Sequence, residues 1–227
     1  MTTDHKPLDT IEFSNKVKST LFQEVDIKTF QSFDAIGDIT LLQEAWVTAT
    51  LVSVYFDKAN MQSPKEYSTL VQSIFAFLNE NPRCMDIQSF DNCMVAVFET
   101  PFKPDIDNAL DSVGKINALF NMVNKQHKAA GVGKIKKGIG MVYGRVLMSV
   151  LSKESEPICN WSGENFQTVL SYSKDAATEG SLVYVSFSIY NNLKEDYQKL
   201  FSKDLFDNKY LAQPVNIAMD KWNNSNE

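Results

Sequence analysis

Thr48-Ala49-Thr50-Leu51-Val52-Ser53-Val54-Tyr55-Phe56-Asp57 is the stretch of this 227-residue chain that decides the fold. Up to Phe56 it is uncharged and dominated by β-branched and aromatic residues, the pattern of a central strand rather than a helix. Asp57 then stands where that strand leaves its sheet. A second stretch, Met85-Asp86-Ile87-Gln88-Ser89-Phe90-Asp91-Asn92-Cys93-Met94-Val95-Ala96-Val97-Phe98, predicts two short strands. They join at Asp91-Asn92, a dipeptide that tolerates the positive φ of a tight turn. If both stretches share one sheet, Asp57 and Asp91 or Asn92 meet at one edge. Carboxylates so placed can hold Mg²⁺ or Mn²⁺ against phosphate oxygens. A plain strand-end aspartate and a plain hairpin turn account for the same residues, and both readings stand open here.

Outward from this centre, Ser63-Pro64 opens a helix, with serine as N-cap and proline at the first helical position. Tyr67, Leu70, Val71, Ile74, Phe75 and Leu78 form its apolar stripe, which ends before Asn81-Pro82. A long helix follows over 104–128 and is broken at Gly131-Val132-Gly133. Residues 135–151 alternate in strand fashion around Gly138, Gly140 and Gly144. A third helix is expected over 165–177 and a strand over 182–186. The order strand, helix, strand, strand, helix, strand, helix, strand predicts an α+β fold with a ferredoxin-like β-α-β-β-α-β core. Its sheet is expected to be mixed or antiparallel, with helices on one face. Residues 1–46 read as an N-terminal helical or adaptor segment with a short amphipathic helix near Ile11. Residues 47–193 form the main domain, and 194–227 a helical extension with a polar tail.

Composition narrows the function classes. A formal charge of −6 gives no global attraction for nucleic acid, and no basic run marks a binding strip for it. Cys84, Cys93 and Cys159 lack zinc-like spacing and read as reduced thiols. Two histidines, His5 and His127, exclude a histidine-rich metal site, and the polar surroundings of His127 speak against a Ser-His-Asp triad. No apolar run reaches the ~18 residues of a membrane span, and the first residues are no signal peptide, so a cytoplasmic protein is expected.

The same stretches resemble the class III nucleotide cyclases, and most nearly the Pycsar pyrimidine cyclases, over about residues 47–193. The run from Val52 to Asp57 is similar to the family's apolar strand ending in a metal aspartate. Gln88 to Phe98 resembles its hairpin, and the glycine-spaced run from Lys137 to Leu147 its next strand. Trp161-Ser162-Gly163, with Tyr172-Ser173, looks like its tryptophan-glycine turn and following helix. The resemblance implies a homodimer, or a pairing with a cyclase partner, that converts UTP or CTP with Mn²⁺ or Mg²⁺ to a 3′,5′-cyclic mononucleotide in bacterial antiphage signalling. It assigns the metal to Asp57 and Asp91, the catalytic positions to Gln167 and Ser171, and nucleotide contacts to Lys58, Asn92, Trp161 and Lys174.

The family pattern is departed from at several of these positions. The family's phosphate-binding run after the first aspartate is here Lys58-Ala59-Asn60-Met61. Aligned without gaps, Asn92 stands at the second aspartate and Asp91 at the preceding glycine. Gln167 stands at the family's asparagine and Ser171 at its transition-state Arg or Lys, with Lys174 one turn further. These departures imply a second reading, a pseudo-cyclase that binds nucleotide or a partner without turnover. A ferredoxin-like interaction domain with no nucleotide site is a third. Trp161 is more often a core or interface anchor than a base-stacking platform.

Overall fold

The computed structural model describes residues 28–30, 44–90, 92–152, 158–204 and 207–225. The decisive stretch is one long strand, β2 (Glu44–Phe56), preceded by the short β1 (Lys28–Phe30). It is followed by α1 (Pro64–Asn79), β3 (Cys84–Phe90), β4 (Cys93–Phe98), α2 (Lys103–Ala129) and β5 (Lys137–Ser152). Next come β6 (Ile158–Ser162), α3 (Glu164–Thr178), β7 (Val183–Ser186), α4 (Phe187–Asn192) and α5 (Glu195–Gln198). The chain closes with β8 (Ser202–Lys203), β9 (Lys209–Ala212) and α6 (Ile217–Ser225). The amphipathic helix expected near Ile11 lies outside the described residues.

The strands form one sheet in the order β3-β4-β2-β5-β7-β9-β8, with β1 beside β2 and β6 beside β5. Within it β3-β4-β2-β5 is antiparallel throughout, the strand order of a β-α-β-β-α-β unit. The β1–β2 and β5–β7 pairs are parallel, so the sheet is mixed, as expected. The tail differs from its helical expectation. β9 pairs with β7 and β8 with β9, so residues beyond 200 widen the sheet.

Alternation along β2 sorts the core into two layers. Val52, Val54 and Phe56 face α1 and α2, where Leu70, Ile74, Leu78, Ile116 and Phe120 are buried. Ala45, Val47, Ala49 and Leu51 face the other way, toward Phe166 and Val169 of α3. The expectation of helices on one face therefore holds for α1 and α2, while α3 covers the opposite face. The cause lies in β5. A Cβ on Gly138 would stand 2.0 Å from the Ser173 carbonyl oxygen, and one on Gly140 2.5 Å from that of Val169. These glycines let the α3 backbone lie directly on the strand. The helix is clamped there by Ser53 Oγ and Ser173 Oγ, 2.7 Å apart and both buried.

Candidate functional site at the end of the central strand

Asp57 follows β2 directly, and its backbone amide donates to the Lys136 carbonyl at 2.8 Å, tying it to the start of β5. The side chain closes a turn, with Oδ1 accepting the Ala59 amide at 2.9 Å. On the other side the Phe56 amide donates to the Asn92 carbonyl at 3.0 Å, so the β3–β4 hairpin and Asp57 share one end of the sheet. The β2–β4 register runs to Tyr55 opposite Cys93, and its next step sets Asn92 opposite Phe56. Asn92 Oδ1 is buried with no hydrogen-bond partner among the described residues. Asp91 lies outside the described residues. No group of three or more His, Cys, Asp or Glu side chains suited to a metal forms among the described residues.

The segment after Asp57 runs straight into α1. Lys58 Nζ sits 4.6 Å from the centre of the Tyr67 ring, and Asn60 Nδ2 donates to the Lys134 carbonyl at 2.7 Å. Ser63 caps α1 as the sequence predicts, its Oγ accepting the Glu66 amide at 3.1 Å. Glu66 was not legible as part of this region. Its Oε2 accepts the Gln62 amide at 2.6 Å, and its Oε1 pairs with His127 Nε2. His127, read from sequence as lying in a polar run, is only 4% exposed, and its Nδ1 lies 3.0 Å from the Gly133 carbonyl oxygen. Burial opposes protonation of the imidazole, but the Glu66 carboxylate and Gly133 carbonyl outweigh it and raise its pKa. Glu66 moves down for the matching reason, with the Gln62 amide and the imidazole overcoming its desolvation.

The remaining assigned residues divide by location. Trp161, on β6, is buried in the α3-side core, and its Nε1 donates to Asp86 Oδ2 at 2.6 Å. Gln88 Nε2 donates to the Cys159 carbonyl at 2.7 Å, so β3 and β6 approach each other and the sheet curls over this core. Gln167, Ser171 and Lys174 all lie on the exposed side of α3. Ser171 Oγ donates to Asp175 Oδ2 at 3.2 Å. The structure thus brings Asp57, Lys58 and Asn92 together at the sheet's end and sets the α3 trio on an outward face. All three thiols are free, and burial raises their pKa values, that of Cys84 to about 12, so they are poor nucleophiles.

No family model matches the chain. Among curated proteins it is similar to a uridylate cyclase of Treponema porcinum, 22% identical over 224 residues, covering 92% of this chain and 78% of that protein. A uridylate cyclase of Gulbenkiania mobilis is 23% identical over 164 residues; 65% of this chain matches 63% of that protein, less than two thirds of its length. Among solved structures, the adenylyl cyclase CyaB from P. aeruginosa superposes with a TM-score of 0.53 at 13% identity, over 75% of this chain and 94% of that one. A class III adenylyl cyclase-like ATP-binding protein from Pseudomonas aeruginosa gives 0.54 at 15% identity, over 94% of this chain and 48% of that one. No helix among the described residues is long and apolar enough to cross a membrane. Strand order, the glycine-packed α3 and these likenesses agree that the chain has the fold of the class III nucleotide cyclase domains.

Proposed function

We propose that this chain is a pyrimidine nucleotide cyclase of the uridylate type, acting on UTP or CTP. The ribose 3′-oxygen attacks the α-phosphorus, the bond to the β-phosphate oxygen breaks, and pyrophosphate leaves while the hydroxyl proton passes to solvent. The observation that carries this reading is Asp57, set at the end of the central strand, its amide bonded to the Lys136 carbonyl and that of its neighbour Phe56 to the Asn92 carbonyl. The two uridylate cyclase relatives supply the choice of base. The same reading makes the product a signal in antiphage defence.

The residues present fit a divalent cation of modest affinity. Asp57 contributes one carboxylate, whose Oδ1 accepts the Ala59 amide, and Asn92 a neutral oxygen that is buried and has no hydrogen-bond partner among the described residues. A bound Mn²⁺ or Mg²⁺ would acidify the 3′-hydroxyl and neutralise charge on the phosphates. Lys58, beside Asp57, adds positive charge on the phosphate side. Because Gln167, Ser171 and Lys174 point outward from α3, they act across an interface, on nucleotide held by a second copy. The working unit is then a homodimer. Mass spectrometry of reactions with ATP, GTP, CTP and UTP plus Mn²⁺ tests the proposal. A cyclic pyrimidine nucleotide that falls at least 100-fold in Asp57→Ala supports it.

One observation favours a second reading, a pseudo-cyclase that binds nucleotide or a partner without turnover. Glu66 already occupies the Gln62 amide, and Ser63 the Glu66 amide, where a phosphate-binding loop would need free donors. One of the solved neighbours is likewise named a class III adenylyl cyclase-like ATP-binding protein. Absence of any cyclic product, with a raised melting temperature in UTP and Mn²⁺, would select this reading.

A further inference from the structure

We propose a second anion site in this chain, a basic cavity on the α2 side of the sheet that takes a phosphate-bearing anion around the buried ammonium of Lys137. The cavity, of about 740 Å³, opens between the C-terminal half of α2, the start of β5 and the turn after α3. That volume suits a nucleotide-sized ligand. Five lysines line it, Lys125, Lys128, Lys134, Lys136 and Lys137, and no carboxylate does. In a chain of net charge −6, so one-sided a lining concentrates positive potential in one concave place.

Lys137 makes the cavity more than a charged surface. It is 2% exposed and lies on the face shared with Ile139 and Met141, the side opposite α3. Its Nζ donates to the neutral Oδ1 of Asn117, and Asn117 Nδ2 is itself held by the Pro214 carbonyl at 2.6 Å. No ion pair to Lys137 is found among the described residues. The other buried lysine, Lys209, behaves differently, with Asp207 and Asp204 carboxylates at 3.0 and 3.9 Å. A buried charge is ordinarily matched in this way, because leaving it unmatched is costly. Lys137 and its partner Asn117 instead line a polar cavity open to solvent, where an anion supplies the missing charge. Lys128, Lys134 and Lys136 are exposed at the rim and can close over its outer oxygens. Lys125 is turned away, donating to the Asn223 carbonyl at 2.6 Å.

This cavity adjoins the Asp57 turn, through Asn60 in its lining and the Lys136 carbonyl that accepts the Asp57 amide, but Asp57 itself does not line it and the site needs no metal. Titration calorimetry on the whole chain in EDTA, at fixed ionic strength, with phosphate, pyrophosphate, UMP and uridine as probes, tests it. Binding of the phosphate-bearing probes but not uridine is expected. Pyrophosphate binding above phosphate would identify a free polyphosphate as the ligand, and UMP above phosphate a nucleotide. Lys137→Met, which fills the same volume without charge, is expected to weaken binding about tenfold or more, the scale of one charge-assisted hydrogen bond. The rim variant Lys128→Gln/Lys134→Gln alters only exposed side chains and is expected to weaken it severalfold. Asp57→Ala should bind as the parent does, which keeps this result independent of any cyclase activity. No binding by the parent, or equal binding by the parent and the rim variant, overturns the proposal.

Discussion

The two faces of the sheet are built on opposite principles. On the α1 and α2 side, large side chains such as Phe56, Phe98 and Phe120 fill the space between helix and strand. On the α3 side the space has been removed, and helix backbone rests on Gly138 and Gly140. One face therefore suffers when volume is taken away, the other when volume is added. A single methyl group has a different meaning on each.

Adding that methyl at Gly138 is the strongest way to break the α3 face. The new Cβ would lie 2.0 Å from the Ser173 oxygen and 2.3 Å from the Ala177 nitrogen, both backbone atoms that no rotamer change can move. Gly138→Ala is expected to exceed the ~1–3 kcal/mol of ordinary overpacking and to leave little cooperatively folded protein in urea titration. Circular dichroism showing a parent-like midpoint would contradict the close packing described here.

A second test sharpens the comparison at the α1–α2 seam, which uses charge as well as volume. His127 and Glu66 join the end of α2 to the start of α1, their side chains 4% and 23% exposed. Glu66, its pKa lowered, contributes stability above the ordinary glutamate value of 4.5 that is lost as pH falls through its folded value. His127, its pKa raised, contributes stability below the ordinary 6.5 that is lost as pH rises through its folded value. The pair is therefore most stabilising between about pH 4.5 and 6.5, by about 1–2 kcal/mol. His127→Gln should flatten the fall in melting temperature as pH rises above this window.

The smallest effect is the removal of one methyl from the filled face. Ile116, fully buried against the α1–α2 side of the sheet, should lose only ~0.5–1.5 kcal/mol as Ile116→Val. A loss as large as that of Gly138→Ala would mean that the two faces do not differ in the way drawn here.

Much of this was legible because local chemistry and tertiary role coincide. Ser63-Pro64 marks the start of α1, Gly131, at φ 72°, stands just past α2, and the uncharged run to Phe56 is a central strand. What escaped was set by partners distant in sequence. The glycines of β5 announced crowding, but not that α3 was its source or that it lay on the other face. Lys209 to Ala212 is too short a run to read as a strand without β7 beside it. His127 sits among polar neighbours in sequence, and only the fold gives it Glu66. The basic cavity did leave a signal, five lysines and no acid between positions 125 and 137, diluted by the turn that divides them. At the candidate site, Asp57 could be placed from its strand alone. The role of Asn92 depended on a register that only the β2–β4 pairing fixes.

The length of β2 has a consequence in time. Flanked by β4 and β5, the amides of Val52 and Val54 are sealed on both sides and can exchange with solvent hydrogen only when the whole domain opens. Three residues beyond Val54, Asp57 stands at the border between this slowest-exchanging part of the molecule and a loop held by a few exposed hydrogen bonds. One side of that aspartate is fixed for as long as the protein stays folded. The other can open and close many times within a single folded lifetime, and so admit a ligand without disturbing the strand that presents the carboxylate.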